Sequence, residues 1–322
     1  GRIRMVEINA DTPCFIVESF YANGIAAAYH GYRDPNMGAG EQLRDFLAQI
    51  HNRLAAPVAD LNRRTLRHRP FVFACFDDYP EDLANTRFLM NRMQEGVPHG
   101  DLHFLSFYEM EIDANGILLA DEEYATALYR LHPMEILIDE RTPEGEPLGA
   151  MFLDLYKEGK FTLMNPPEAI LLQNKSFMAL VYALARTEQF LTSEECALVK
   201  RYLVPSYFED DFAALTDGTY IHKEIWGREG RNVRLVEKRD GRASTVHEKQ
   251  PDNVDEIICR ESRAAMYQDF IRPPRFSHTV DSGTIDGCLT LSCFMLFDQP
   301  SAVGARFSPA EIAGTEAYFL PL

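Results

Sequence analysis

The residues most able to do chemistry lie in YIHKEIWGREGRN, 220–232. In an extended strand Ile221, Lys223 and Ile225 share one face, so the lysine sits between two apolar neighbours. A buried ammonium is costly unless an anion accompanies it. Gly227, Arg228, Glu229 and Gly230 follow at once, and glycines in a turn let backbone N–H groups approach a phosphate closely. A strand lysine beside such a turn can grip the phosphates of a nucleotide. The plainer alternative is an exposed hairpin whose lysine reaches past its neighbours to water. The spacing is neither that of a P-loop nor that of a dinucleotide fingerprint.

A second stretch, VEINADTP at 6–13, follows an apolar run and sets Glu7, Asn9 and Asp11 at alternate positions. Strand alternation predicts three oxygen-bearing side chains on one face, the donor type Mg²⁺ takes when it shares itself with phosphates. A strand simply ending at a turn, with Pro13 stopping the ladder, would look the same. Weaker candidates stand elsewhere. Lys175 opens a helical stretch beside Asn174, where a solvated lysine is the ordinary reading. Arg306 follows a glycine in AVGARFSPAEI, where a surface arginine would do as well. Glu135 lies between Met134 and Ile136, as a strand-edge residue or as a ligand to a cation. Neighbouring His132 reads as structural. No nucleophile elbow, zinc-protease helix or Cys–His signature is present.

These side chains need elements to hold them. FVFACF, 71–76, is a continuous apolar run that suits a strand buried on both faces. A helix over 86–96 ends at Gly96, and a strand region over 102–112 leads to the turn 113–116. Strand, helix, strand predicts a βαβ unit with a parallel sheet. Upstream, 41–63 reads as helix with a break near Pro57. Downstream, 174–190 is a strong amphipathic helix, and Thr192 with Glu195 has capping-box spacing. Two strands are predicted around the Gly-rich turn over 218–238, a loop over 240–256, a helix over 257–272 ending before Pro273, and a core strand over 288–298. GRIRMVEI opens inside what reads as a strand, which leads one to expect a segment ahead of residue 1.

Bulk properties bound the rest. The 322 residues suffice for two or three packed subdomains, with 46% apolar and 25% charged residues as in ordinary globular proteins. The formal charge of −17 argues against a general nucleic-acid or membrane-surface binder, while leaving room for a locally basic pocket. No stretch is long and apolar enough to span a bilayer, and no signal peptide opens the chain. The six cysteines are scattered without C-x-x-C spacing and read as reduced thiols of a cytoplasmic protein.

ExNADTP, LYRLHPMEIL, LLQNKSFMALVYAL, YLVPSYF, YIHKEIWGREGRNV, MYQDF and GARFSPAEI occur in one order along the chain. Together they resemble the synthetase domain of glutathionylspermidine synthase and its stand-alone relatives, which are ATP-grasp acid–amine ligases. The resemblance runs from Glu7 to the last residues. It implies an α/β protein with an ATP-grasp fold, a pre-ATP-grasp-type βαβ region over 1–125 and an ATP-grasp region over 126–322. It implies Mg²⁺ on Glu7 and Asn9, and ATP phosphates on Lys175 and Lys223 beneath a loop carrying Arg228 and Gly230. Gln268 matches a position near the adenine, and Arg306 a catalytic arginine facing the phosphates. Thr12 and Glu135 match the acid-substrate region, with Cys14 close to Thr12. An arginine and an acidic metal ligand that precede the family's first motif would fall ahead of residue 1, and Met134 replaces an aromatic residue. Nothing resembles the amidase domain of the bifunctional enzymes.

The expected function is therefore an ATP- and Mg²⁺-dependent ligase that joins a glutathione-like peptide acid to a polyamine-like amine through an acyl phosphate. A different acid and amine with the same chemistry, or a non-catalytic nucleotide-binding relative, are the alternatives. Oligomeric state is not legible.

Overall fold

A computed structural model describes residues 3–55, 58–60, 65–67, 69–119, 122–228, 230, 232–248, 264–280, 283–314 and 316–322. The chain divides into two compact units. One comprises 10–170, 291–304 and 321–322; the other comprises 1–9, 171–290 and 305–320.

The first unit is built on a four-stranded parallel sheet. Its strands stand in the order Leu102–Ser106, Phe71–Cys75, Ala127–Leu131 and Thr162–Leu163. The expected βαβ unit is present, with the helix Pro80–Gly96 crossing from Phe71–Cys75 to the parallel Leu102–Ser106. Phe71–Cys75 is buried throughout. Phe71, Phe73 and Cys75 enter one apolar cluster with Leu43, Leu47, Leu89 and Met93 from two helices. Val72 and Ala74 enter another with Phe152, Leu155 and Phe161. Period-two alternation thus feeds two cores from one strand, which is why the segment shows no polar residue. The sheet pairs 71–75 with 127–131, so residues on both sides of position 125 share one layer.

The second unit carries a five-stranded antiparallel sheet ordered Arg242–Glu248, Arg234–Arg239, Gly218–Glu224, Ala265–Asp269 and Ser206–Phe208. The helix Ser176–Thr187 packs Met178 and Ala179 against Met266 and Leu203. The helix Ser193–Tyr202 opens with the capping box read from sequence. Thr192 Oγ1 accepts from Glu195 N, and Glu195 Oε2 accepts from Thr192 N at 2.7 Å. A second antiparallel sheet runs in the order Arg275–Val280, Gly283–Leu296, Gln299–Ser308 and Tyr318–Leu320. No helix of the described residues is long and apolar enough to cross a membrane.

Several expectations are corrected. The helix near the start is Ala39–Leu54, and 58–60 instead pairs antiparallel with 65–67; positions 56–57 and 61–63 lie outside the described residues. The helix expected at 86 begins at Pro80, where proline at the first position and Glu81 and Asp82 in the first turn favour a start. The strand region 102–112 breaks at Ser106, whose Oγ accepts from Tyr108 N and starts a short 3₁₀ turn, Phe107–Glu109. Part of the expected loop, 242–248, is an edge strand. Part of the expected helix 257–272 is the interior strand Ala265–Asp269, in which Met266 and Gln268 are buried. The remainders, 249–256 and 257–263, lie outside the described residues.

The hairpin end within the first unit is held closely. Asn36 Nδ2 donates to Val303 O at 2.7 Å, and Val303 N donates to Asn36 Oδ1 at 2.8 Å. A Cβ on Gly304 would stand 2.5 Å from Phe15 Cε1 and 2.6 Å from Ser19 Oγ. Gly304→Ala is therefore expected to destabilise the protein by about 1–3 kcal/mol, through overpacking against a ring and a buried hydroxyl. Chemical denaturation of the variant beside the parent measures it.

Candidate functional site

Lys223 is the penultimate residue of the strand Gly218–Glu224, paired with Met266. Ile221, two residues earlier, pairs with Gln268, so Lys223 and Gln268 lie on one face of the sheet. Lys223 is 9% exposed. The loop that follows turns tightly: Gly227 N donates to Glu224 O, and Asn232 Nδ2 donates to Glu224 Oε1. Gly230 takes φ = 72°, a left-handed conformation that glycine adopts without strain. Arg228 and Gly230 are half-buried in this turn.

Lys175 immediately precedes the helix Ser176–Thr187. Its backbone N–H donates to Ile225 O at 3.0 Å, and its ammonium donates to Gly227 O at 2.8 Å. The helix start is thereby fastened to the Gly-rich turn. The same ammonium lies 3.4 Å from Glu7 Oε2. Asn9 is an exposed neighbour that hydrogen-bonds the Glu7 side chain. Among the described residues two lysines stand against one carboxylate, a positive excess of the kind a polyanion requires. Burial pushes the Lys223 ammonium down to about 8, with Glu7 opposing and Lys175 reinforcing. Burial pushes the Glu7 carboxyl up, but Lys175 and Lys223 together hold it below its ordinary value.

The opening strand is not a strand beyond one residue. Met5 forms a parallel bridge with Leu203, through Met5 N to Tyr202 O and Val204 N to Met5 O. Past Met5 the backbone is held by side chains: Val6 O accepts from Gln268 Nε2 at 3.2 Å and, at 3.5 Å, from Lys223 Nζ. Without a ladder, alternation places no common face. Glu7 meets the lysines, whereas Asp11 is fully buried in the other unit.

Asp11, which spacing grouped with the metal donors, is consumed by folding. Its carboxylate pairs with the guanidinium of Arg130, both side chains being wholly buried, and accepts from Met134 N at 2.8 Å. Arg130 also donates to His132 O, and Asn165 Nδ2 donates to Asp11 O and Arg130 O. This network ties the segment containing Thr12 to the short helix Met134–Leu137 containing Glu135; both residues are buried. The missed signal was Arg130 inside the apolar run ALYRL, a buried cation that needs an acid. His132 behaves as a packed residue, edge-on to Phe76 and 3.2 Å from Glu140. Burial pushes its imidazole down despite Glu140.

The structure thus brings Glu7, Asn9, Lys175, Lys223, Gln268 and the turn of Arg228 and Gly230 into one neighbourhood of one unit. Arg306 is exposed on Gln299–Ser308, register-paired with Phe319 in the other sheet of that unit. Thr12 and Glu135 belong to the other unit. Among the described residues no group of three His, Cys, Asp or Glu side chains could hold a metal. A carboxylate and an amide oxygen, Glu7 and Asn9, nevertheless fit Mg²⁺ carried chiefly by phosphate oxygens.

A protein-family model described as glutathionylspermidine synthase preATP-grasp matches residues 1–322. Among solved structures, a glutathione synthetase like-effector from Globodera pallida in apoform is similar at 12% identity and a TM-score of 0.49. The likeness covers 98% of this chain and 66% of that one.

Two predictions follow from the buried charges. Asp11→Ala leaves the Arg130 guanidinium buried without its acid and should cost about 3–5 kcal/mol, read from denaturant midpoints. Lys223 binds its proton less tightly folded than unfolded, so its burial penalty is complete below pH 8 and fades as pH rises towards 10.5. Wild-type stability should therefore gain about 2 kcal/mol on Lys223→Met between pH 8 and pH 10. Parallel denaturation curves for the two proteins would check the sign.

Proposed function

The chain belongs to the glutathionylspermidine synthase preATP-grasp family, and from that premise we propose that it is an ATP- and Mg²⁺-dependent ligase forming an amide between a peptide carboxylate and a polyamine-like amine. Membership supports an ATP-dependent ligase in general; the acid, the amine and the residue roles are our reading. The observation that carries it is the pair Lys175 and Lys223, one of them buried, set at a Gly-rich turn and facing, among the described residues, a single carboxylate.

In this reading a substrate carboxylate oxygen attacks the γ-phosphorus of ATP, the bond to the β,γ-bridging oxygen breaks, and ADP leaves. The acyl phosphate is then attacked at carbon by the neutral amine; the C–O bond to phosphate breaks, phosphate departs, and the nitrogen loses a proton. Such transfer depends on positioning and charge neutralisation. Lys223 and Lys175 hold the phosphates, Arg228 and Gly230 cover them, and Arg306 faces the transferred group. Glu7 and Asn9 would hold Mg²⁺, which supplies charge neutralisation at the phosphate oxygens. Thr12 and Glu135 contact the acid substrate, a glutathione-like peptide. We assign the reaction to the cytoplasm, where ATP and free thiols coexist.

The test is ADP release from Mg²⁺-ATP with acid and amine candidates added singly and in pairs. Release that needs both partners, with a new amide in the mass spectrum, is the expected outcome. Lys223→Ala should lower kcat/KM by about 30- to 1000-fold, equivalent to roughly 2–4 kcal/mol. ATP binding without turnover for any pair would favour a non-catalytic nucleotide-binding relative instead.

A further inference from the structure

We infer that Gln268 is a positioning residue for the phosphate and metal end of the site, acting through the Val6 carbonyl. The inference rests on the ligase reading above for what the site binds, and on geometry alone for what Gln268 does.

Gln268 is 3% exposed and lies on the interior strand Ala265–Asp269. Its amide nitrogen has two partners, Val6 O at 3.2 Å and Ser206 Oγ at 2.9 Å. Val6 O can only accept. The Ser206 hydroxyl donates to Val204 O at 2.8 Å, so towards Gln268 it too can only accept. Two acceptors fix which end of the amide points where: both N–H groups are spent inside the protein.

What they hold is the segment carrying Glu7. Beyond the Met5 bridge this segment has no ladder. The Val6 carbonyl is its next point of attachment, and the other group on that carbonyl is Lys223 Nζ at a long 3.5 Å. Glu7 follows directly in the chain and stands 3.4 Å from Lys175. Gln268 therefore sets where the Glu7 carboxylate stands against the two lysines, while Ser206 sets the orientation of Gln268.

The experiment compares wild type, Gln268→Met, which keeps the length and removes the donors, and Ser206→Ala, which removes one acceptor. Two affinities are measured by calorimetry, ATP with Mg²⁺ and AMP without metal, and the Gln268→Met crystal structure is determined without ligand. Gln268→Met should weaken Mg²⁺-ATP at least tenfold, leave AMP within twofold, and separate Glu7 from Lys175 beyond ion-pair distance. Ser206→Ala should shift ATP the same way by a smaller factor, and it carries the binding test alone should Gln268→Met not fold. Equal weakening of AMP and ATP would overturn the inference in favour of base contact. An unchanged ATP affinity, or an unmoved Glu7–Lys175 pair, would also overturn it. Should wild type bind neither nucleotide, the ligase reading fails while the crystal structure still decides the placement: a displaced Glu7 upholds it and an unmoved one refutes it.

Discussion

The second unit buries an ammonium group that, among the described residues, shares its one carboxylate with a second lysine. Lys223 stands at 9% exposure on a sheet face whose register neighbour is Met266. Burial of that kind is tolerable only with an anion at hand. Glu7 supplies one carboxylate, but Lys175 shares it, so the cluster keeps a positive excess. The surrounding architecture preserves this excess. The helix start donates to the turn carbonyls, the turn closes on Glu224, and the backbone just before Glu7 is held through the Val6 carbonyl.

The first unit meets a buried cation and resolves it the other way. Arg130 lies in the middle of a parallel strand, wholly buried, and Asp11 matches it with an equally buried carboxylate while backbone carbonyls take further guanidinium donors. Asn165 closes the remaining backbone positions. The charge is balanced by Asp11, and both terminal guanidinium nitrogens are bonded within the fold. One sequence thus holds a closed ion pair that fixes a fold and an open one that can serve chemistry. The distinction lies in the count of partners around each cation, not in burial.

This contrast explains what could be read in advance. Phe71–Cys75 was legible because a strand buried on both faces reads as an unbroken apolar run, and the capping box because Thr192 and Glu195 interact over three residues. A lysine next to a Gly-rich turn was legible because Ile221, Lys223 and Gly227 lie within one hairpin. Ala265–Asp269 was not, because it is buried in the middle of a sheet between strands from distant parts of the chain, and its apolar and polar mixture resembles a helix when those neighbours are unknown. Asp11 with Arg130 was not, because 119 residues separate the partners. The pairing of Gln268 with Val6, 262 residues apart, was invisible for the same reason.

The segment VEINADTP shows most plainly why spacing alone can mislead. Alternation places side chains on one face only while a ladder holds the backbone extended and flat. Here the ladder ends at Met5, and each later residue is oriented by whatever partner its own group finds. Glu7 finds two ammonium groups, the Val6 carbonyl finds an amide, and Asp11 finds a guanidinium in the other compact unit. Three oxygen-bearing side chains in a row are then not a three-donor site. The donor nearest the lysines suits phosphate and metal, and the last is already occupied by an interaction that the first unit cannot give up without leaving a bare charge in its core.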